Sequence, residues 1–500
     1  MTTWELTPEA VKELILKRQR HVSRGGSRPR SRLAVVTMAL VASCALAAPA
    51  QASNALSFTT TRIASDQAVG EPRVVIDASA PGPRFFVVAP GVDASGKLNT
   101  FLWWSTDGRR FAGPALTNQG SEDSDLAIDA NHTVYTADAT DPSGRPTIPI
   151  SVWHPQTHRF SRVGFAAQGQ TALDRPWIAA PGPRRLVAIA RGSSDNELAW
   201  VSVDGGARFT TDPEVIDTNV VRAGPLVAGP SPRRGGTAPL YFLYVRRSGG
   251  QPGLFASGDL RLATSTDGGA DWTTSLVATN QYSTLFPVVA SDNAGNLYAV
   301  WSGYDQSSNN SQVVVFSASR DKGRSWRTPR AVSDNRVDGA GYAPPALFPW
   351  IVAGASGRVD IAYVIGNQPI VNAPGADFGG PATRWDVRVA QSLNATSAEP
   401  TWTSRVASAD FHTGSICTMG ASCPTPYSSL GVGNAPTPMD RRDLDFAGAA
   451  IDGSGRVYVP FCSDRPASSG NLNDVVFANI DVNLARQTLG PTLAVRHRRR

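Results

Sequence analysis

The sequence has 500 residues and a formal net charge of +6, which at first suggests a basic protein. Most of this charge lies at the ends: the first 52 residues carry +5 and the terminal RHRRR carries four arginines, so the body between them is slightly negative. Such a body lacks a nucleic-acid-binding surface, which excludes nucleic acid as the partner. With 46 Gly, 37 Pro, 18% charged residues and hardly any helical periodicity after residue 53, the sequence predicts an all-β chain with many turns.

The N-terminal segment has the three parts of a secretory signal: arginine-rich residues 20–32, the apolar run Leu33–Ala48 and an A-x-A cleavage site at residues 50–52. The apolar run is short for a membrane span. We therefore expect cleavage after Ala52, export of the remainder and no membrane-spanning segment. A lipoprotein anchored at Cys44 is the alternative, because the residues before it resemble a lipobox. The predicted domains are residues 1–52, a signal peptide with a long leader; 53–488, the folded body; and 489–500, a basic tail.

The exported chain repeats one unit of four short strands, so its roughly 440 residues predict one ring rather than two or three domains. The unit is clearest in Arg73–Asp77, Phe85–Ala89, Phe101–Ser105 and Ala115–Thr117. Self-alignment finds seven first strands and seven third strands. The other first strands are Leu126–Asp129, Trp177–Ala179, Leu226–Ala228, Val288–Ala290, Trp350–Val352 and Gly448–Asp452, and the third strands run through Trp104, Val152, Trp200, Leu262, Val315, Val389 and Phe477.

The fourth strands number only six, and Phe58–Ala64 supplies a seventh from the N-terminal end. Pairing of this strand near Phe477 would tie the last sheet to the first and cover an exposed edge. The sequence therefore predicts a seven-bladed β-propeller of four-stranded antiparallel blades, closed by an N-terminal strand. A six-bladed ring is the alternative, because several units are degenerate.

An octapeptide of the form S-x-D-x-G-x-x-(W/F) follows three of the third strands. Its glycines supply turn conformations, its Ser and Asp side chains can bond nearby backbone amides, and its aromatic residue can pack over the turn. We therefore expect a tight turn between strands three and four. The octapeptide residues are Ser202, Asp204, Gly206 and Phe209; Ser265, Asp267, Gly269 and Trp272; and Ser319, Asp321, Gly323 and Trp326, with a degenerate copy at Ser105–Phe111.

The octapeptides and the turns between strands one and two share one face of such a ring, the octapeptide face. The loops between strands two and three, and the connections between blades, share the other, the loop face. Long insertions concentrate on the loop face, as in Asp138–Pro149, Gly366–Thr383 and Asp410–Asp440. Since elaborated loops on a rigid scaffold usually carry binding, we expect the function on the loop face.

Charged residues precede the inner strands and would line a central well on the loop face. Converging carboxylates and arginines could divide into the acid, base and anion-clamping roles of glycosidic cleavage. They could equally form an ion-pair ring that holds the blades together. The catalytic candidates are Asp125 and Asp174, the binding candidates are Glu71, Arg73, Arg175, Arg222, Arg442, Asp443 and Asp445, and Asp123 and Arg441 lie at the same strand mouths.

Three cysteines follow the signal segment, and export favours their oxidation. A disulfide between Cys417 and Cys423 would stiffen the longest loop, while pairing of either with Cys462 is the alternative. No metal site or cofactor is expected: His154 and His158 fall on a hairpin turn, and Asp292–Asn296 reads as a strand-connecting turn.

The octapeptides resemble the Asp-box of the sialidase-like β-propellers. The segments GEPRVVID (70–77), DRPWIA (174–179) and RRDLDFAGAAID (441–452) are similar to secreted bacterial Asp-box (BNR-repeat) proteins, and the resemblance covers residues 58–480. For exo-sialidases it implies an arginine triad on the substrate carboxylate, the first arginine in Arg-Ile-Pro, a tyrosine–glutamate nucleophile pair and an aspartate acid/base. Here Arg62 keeps Arg-Ile without the proline, and no tyrosine–glutamate pair can be assigned.

Three functions remain open. The first is an exo-sialidase-type glycoside hydrolase, with Asp125 or Asp174 as acid/base and Arg73, Arg175 and Arg442 on a carboxylate. The second is a non-catalytic propeller that binds a glycan, a cell-surface polysaccharide or a glycoprotein, or another protein, as a monomer through the same face. The third is a scaffold whose channel is plugged by side chains. Arginines bound to carboxylates of neighbouring blades would favour the second or third.

Overall fold

The fold is that of a computed structural model, which describes residues 55–67, 69–118, 120, 123–140, 143, 145–231, 236–247, 256–283, 285–305, 311–333, 341–368, 377–379, 382–418, 448–464 and 480–494. These residues form seven antiparallel blades in a ring, each four strands wide, one two-stranded ribbon, and a 3₁₀ turn at Ser193–Asp195. In blade IV the innermost strand is divided into two short strands that pair with the same neighbour. The predicted seven-bladed β-propeller is confirmed. The signal segment, Cys44, Cys423, and the side chain of Cys417 lie outside the described part.

The strands follow the chain almost without crossover. Blades I to III contain β2 (Arg73–Ile76), β3 (Phe85–Val92), β4 (Leu98–Ser105) and β5 (Ala112–Leu116) in blade I; β6 (Ser124–Ile128), β7 (Val134–Asp138), β8 (Ile148–His154) and β9 (Arg159–Ala166) in blade II; and β10 (Leu173–Gly182), β11 (Arg185–Gly192), β12 (Glu197–Ser202) and β13 (Glu214–Asp217) in blade III. Blades IV and V contain β14 (Val220–Ala223), β15 (Val227–Ala228), β16 (Leu240–Arg247), β17 (Ala256–Ser265) and β18 (Thr273–Ser283) in blade IV, and β19 (Val288–Ser291), β20 (Leu297–Asp305), β21 (Ser311–Ser319) and β22 (Arg330–Ala331) in blade V. Blade VI contains β23 (Ala346–Ala353), β24 (Val359–Gly366), β26 (Arg384–Ser392) and β27 (Thr403–Thr413); blade VII contains β29 (Ala450–Ile451), β30 (Val457–Asp464), β31 (Ile480–Leu489) and the N-terminal strand β1 (Ser57–Gln67); and β25 (Asp377–Phe378) pairs with β28 (Ile416–Cys417) in the ribbon.

Strand β1 closes the ring. It pairs antiparallel with β31, with Phe58 opposite Gln487 and Thr61 opposite Leu484, and so becomes the outer strand of blade VII. The predicted closure by an N-terminal strand is thus confirmed, although its partner begins at Ile480, beyond Phe477, which lies outside the described residues. The pairing covers an edge that would otherwise present unpaired backbone groups.

The hydrophobic core lies between neighbouring blades rather than inside any one of them. Phe86 and Trp104 of blade I pack against Trp153 of blade II, and Leu262 of blade IV packs with Trp301 of blade V in the same way. Middle strands are accordingly buried on both faces, as in β21, where every residue is buried. Each blade needs both neighbours to bury its apolar faces.

The octapeptides form the expected tight turns between strands three and four. In the first, the Ser202 hydroxyl donates to Asp204 (2.9 Å) and accepts from the Gly206 amide (2.9 Å), and Ser265 and Ser319 make the same contacts at 2.8 Å with their own aspartates and glycines. Gly206 has φ +87°, and a Cβ there would meet apolar side chains of two blades. A residue with a side chain would therefore be strained.

Blade VI carries a variant of this turn that the octapeptide pattern does not detect. Ser392 donates to the side-chain oxygen of Asn394 (3.1 Å), which also accepts from the Thr401 amide (2.9 Å). Asn394 takes the place of the aspartate, and the aromatic residue comes later, as Trp402, which packs edge-on against Phe316. This longer turn is thus held by the same pattern of side-chain hydrogen bonds as the octapeptide turns.

Turns between strands one and two are held by an aspartate and a tyrosine six residues later. Asp292 accepts from the Tyr298 hydroxyl (2.6 Å) and from the Gly357 amide of the next blade (3.0 Å). Asp129 makes equivalent contacts with Tyr135 and with the amide of Arg184. The Asp292–Asn296 segment is therefore a turn that also links two blades. Among the described residues, no group of three His, Cys, Asp or Glu could hold a metal ion.

The segment after β31 packs across blades VI and VII. Leu493 is fully buried, its amide donates to the Gly455 carbonyl (2.8 Å), and its carbonyl accepts from the Ala355 amide (2.8 Å). A Cβ on Gly354 would lie 2.6 Å from the Leu493 carbonyl oxygen, so only glycine fits under this segment. The folded ring therefore extends at least to residue 494.

Candidate functional site

Five blades carry an X-Pro pair in or directly before the inner strand, at the mouth of the well. Proline cannot donate to the strand ladder and is tolerated at strand starts and bulges. The residue before it has a left-handed φ in Glu71 (50°), Arg175 (52°) and Phe348 (54°), and β-bulges interrupt the pairing of β10 and β23 at these points. Bulges re-aim side chains, which here turn toward the axis. The X-Pro pairs are Glu71-Pro72, Arg175-Pro176, Gly224-Pro225, Phe286-Pro287 and Phe348-Pro349.

The inner strands of blades IV and V come close together at this level. A Cβ on Gly224 would lie 1.7 Å from the carbonyl oxygen of Pro287, which explains why glycine precedes the proline in blade IV. The well is therefore narrow, and its lining side chains come mainly from the other blades.

The outer layer of the well is centred on Arg175. Its Nη1 binds a carboxylate oxygen of Glu71 from blade I and one of Asp123 (2.5 Å) from the segment that enters blade II. The side chains of Arg175 and Glu71 are 6% and 3% exposed, whereas that of Asp123 is 25% exposed. Burial alone would lower the pKa of Arg175, but the two carboxylates raise it above its ordinary value.

The inner layer consists of residues that follow an outer-layer residue by two positions along the chain. Arg73 forms an ion pair with Asp125, which is fully buried and also accepts from the amides of Leu126 (2.7 Å) and Ile178 (2.9 Å). Burial, reinforced by the nearby Arg175 guanidinium, lowers the pKa of Arg73 to about 9, so the group stays charged at neutral pH. Asp125 thus ties blades I, II and III together.

Aromatic rings fill the axis beside these arginines. Trp177 and Trp350, from opposite sides of the ring, lie 6.4 Å apart, and Phe286 packs edge-on against Trp177 at 5.4 Å. The Arg175 guanidinium lies 4.7 Å from the Trp177 ring centroid, and that of Arg73 lies 5.5 Å from the Trp350 centroid. These cation–π contacts close the channel with side chains at this depth.

Asp174 lies at the same mouth but takes part in a different contact. Its carboxylate, 54% exposed, pairs with Arg191 of its own blade, which also donates to the Val221 carbonyl of blade IV (2.9 Å). Beside this pair, Glu197 is almost fully buried, and neither of its carboxylate oxygens has a hydrogen-bond partner among the described residues. Burial, aided by Asp174 and opposed by Arg191, raises the pKa of Glu197 to about 8.

The structure thus brings together five of the residues predicted at the strand mouths, Glu71, Arg73, Asp123, Asp125 and Arg175. Arg222 donates to the neighbouring Val221 carbonyl (3.0 Å). Arg62, which the resemblance nominated for a substrate carboxylate, lies on the outer strand β1, where it is 60% exposed and pairs with Asp481. Arg62 therefore belongs to the closing strand and not to the well. Arg441, Arg442, Asp443 and Asp445 lie outside the described residues.

The sequence patterns did not predict the packing of Trp177 against Trp350 at the centre of the ring, although the sequence contains a signal for it. In both Arg175-Pro176-Trp177 and Phe348-Pro349-Trp350 a tryptophan directly follows the X-Pro proline. Tracing that tripeptide through the repeats would have placed the two indoles at one depth, because equivalent residues of different blades lie at the same height along the axis.

No protein-family model matches the chain, and no curated protein matches it in sequence. Solved structures with a similar fold include the phage phi92 endosialidase (10% identity over 89% of this chain and 71% of that chain, TM-score 0.44). Others are an intramolecular trans-sialidase from Ruminococcus gnavus (12% identity, 83% and 94%, TM-score 0.36) and an ulvan lyase (9% identity, 85% and 95%, TM-score 0.45). At these identities the likeness concerns the fold alone. No helix among the described residues is long and apolar enough to cross a membrane.

Proposed function

We propose that this chain is an exported, sialidase-like Asp-box propeller that binds glycans in the well of the loop face without cleaving them. The observation that supports binding over hydrolysis is the position of the Arg175 guanidinium, where one nitrogen binds both Glu71 and Asp123. A retaining glycosidase needs its two carboxyl groups about 5–5.5 Å apart, and an inverting one about 6.5–9.5 Å, with the reacting atoms between them. Here the arginine occupies that space.

The other charged groups support the same proposal. Asp125 is fully buried under three donors, so it cannot reach a glycosidic oxygen in the well. Arg73 and Arg175, the arginines proposed to hold a substrate carboxylate, are bound to carboxylates from other blades. Asp123, whose side chain is 25% exposed, carries a carboxylate of the kind that accepts hydrogen bonds from sugar hydroxyls.

Paired binding and cleavage assays on the purified chain test this proposal. We expect retention on a glycan array and no release of fluorophore from a 4-methylumbelliferyl sialoside. Asp174→Asn is the decisive variant for the competing exo-sialidase function, and Asp212→Asn, which changes an exposed aspartate on the octapeptide face of the same blade, is its matched control.

Two results would overturn the proposal. Fluorophore release by the unaltered chain that is lost in Asp174→Asn and kept in Asp212→Asn would establish hydrolysis. Absence of retention on every glycan of the array would leave the ion-pair ring as a purely structural feature of a scaffold.

A further inference from the structure

The segment that follows β31, residues 490–494, forms a strap across blades VI and VII on the octapeptide face. Its backbone is held from both blades. The Leu493 amide donates to the Gly455 carbonyl of blade VII, and the Leu493 carbonyl accepts from the Ala355 amide of blade VI, both at 2.8 Å. The strap therefore binds the end of β31, the strand that accepts β1, to the neighbouring blade.

A buried carboxyl group is joined to the strap by one side chain. Asp360 of β24 is 0% exposed, and its Oδ1 accepts from the side-chain amide of Gln391 on β26 (2.9 Å). The same Gln391 nitrogen donates to the Pro491 carbonyl of the strap (3.1 Å), which also accepts from the side-chain amide of Gln487 (2.6 Å). The other oxygen of Asp360 accepts no hydrogen bond from any described residue. The carboxyl and the strap thus share one donor.

No cation balances a charge on this carboxyl. Burial raises the pKa of Asp360 to about 7, opposed only by the hydrogen bond from Gln391. Arg358 lies nearby in blade VI, but it donates to the Thr492 carbonyl of the strap (2.9 Å). The charged side chains on the strands and turns around the strap are Asp292, Arg358, Arg405, Asp452, Arg456 and Arg486, and none of these six forms an ion pair with Asp360. An ionised Asp360 would therefore be a buried anion without a cation, which is strongly disfavoured.

We infer that residues 490–494 are a proton-controlled strap, which stays bound to blade VI while the Asp360 carboxyl is protonated and is released when this group ionises. A protonated carboxyl loses little by remaining buried, whereas an ionised one gains hydration when the strap lifts. The strap lies on the octapeptide face, so this inference does not rest on the glycan binding proposed for the well.

The direction of the pH effect follows from the two protonation states. The pKa of Asp360 is about 7 with the strap bound, whereas a hydrated carboxyl in the released state has the ordinary pKa of 3.8. Between these pH values the bound state holds a proton that the released state has lost. Release therefore becomes easier as the pH rises from about 4 to 7, by up to about tenfold per pH unit, and changes no further above pH 7.

Hydrogen–deuterium exchange of the full chain tests this inference, read by mass spectrometry on peptides that contain residues 353–358 and 490–494. We expect protection of the Ala355 and Leu493 amides, corrected for intrinsic exchange, to fall about ten- to hundredfold from pH 5 to pH 7 and then to level off. Asp360→Asn keeps the shape of the side chain without an ionisable group. Its protection should not depend on pH and should exceed that of the unaltered chain at pH 7.5.

The matched control is Glu197→Gln, which removes a different buried carboxyl, in blade III, and should leave the pH dependence of the strap unchanged. Greater protection of the strap in Asp360→Asn at pH 7.5 is a gain that a folding defect cannot produce. Equal protection at pH 5 and pH 7 in the unaltered chain, or an equal fall in Asp360→Asn, would overturn the inference. A parallel fall in the amides of β11 would also overturn it, because the strap would then be released only when the whole ring unfolds.

Discussion

The two faces of this propeller hold their carboxylates in different ways. On the octapeptide face, Asp204 is satisfied within its own turn, and the Arg208 amide, more than any other group, holds the pKa of this carboxyl below its usual range. In the well, Glu71 and Arg175 meet across 104 residues of sequence. The octapeptide turns are therefore maintained by hydrogen bonds within one blade, whereas the ion pairs of the well form only between blades.

The largest expected effect comes from breaking the cross-blade charges. Arg175→Met removes the guanidinium that pairs with Glu71 and Asp123, and we expect it to lower the free energy of unfolding by about 3–5 kcal/mol, as loss of one partner of a buried ion pair does. Denaturant unfolding followed by tryptophan fluorescence measures this. Arg62→Met removes an exposed pair and should change it by less than about 1 kcal/mol. Equal effects of the two variants would show that the well pairs do not hold the ring.

A second prediction concerns pH, because the carboxylate of Glu197 is buried and accepts no hydrogen bond from any described residue. Its pKa in the folded chain, about 8, lies above the ordinary 4.5, so between these pH values the folded state binds more protons than the unfolded state. The free energy of unfolding therefore falls as the pH rises from about 4.5 to 8, because over this range the folded state holds a proton that the unfolded state has lost. Glu197→Gln should flatten this fall by an amount of the order of 3 kcal/mol.

The measurement is the denaturation midpoint from pH 5 to 8.5 for both chains. A slope that is the same with and without the carboxyl group would contradict the assignment of the buried proton to Glu197.

The smallest effect is expected on the octapeptide face. Ser265→Ala removes the hydroxyl that accepts from the Gly269 amide (2.8 Å) and donates to Asp267 (2.8 Å). Since a net hydrogen bond contributes about 1 kcal/mol, the loss should be of that order and confined to blade IV. Hydrogen exchange of blade IV amides measures it, with the exposed neighbour Thr266→Ala as control. Loss of protection throughout the ring would mean that these turns are not local elements after all.

This contrast explains what the sequence could predict. The strands, the octapeptide turns and the closing strand depend on residues that are contiguous or recur at a fixed spacing, so the sequence alone predicts them. The bulge at Arg175 and the pairing of Arg73 with Asp125 depend on how blades rotate against each other, which no local pattern records. The turn at Ser392 was missed because asparagine replaces aspartate there and its tryptophan comes later.

The candidate site was predicted in part for the same reason. Inner-strand mouths could be located from the repeat, so Glu71, Arg73, Asp125 and Arg175 were named together. The ion-pair partner of each residue could not be predicted. Alternation along a strand assigns each side chain to one face of the sheet, and the X-Pro bulges shift that alternation at the mouth of the well. Asp174, one residue from the bulge, pairs with Arg191 instead.

The pairing of β1 with β31 sets the timing of assembly. During synthesis the strand at residues 57–67 has no partner until residues 480–489 have been made, so the ring cannot close before nearly the whole folded body has been synthesised. Slow refolding that depends on the presence of residues 57–67 would be the kinetic sign of this arrangement.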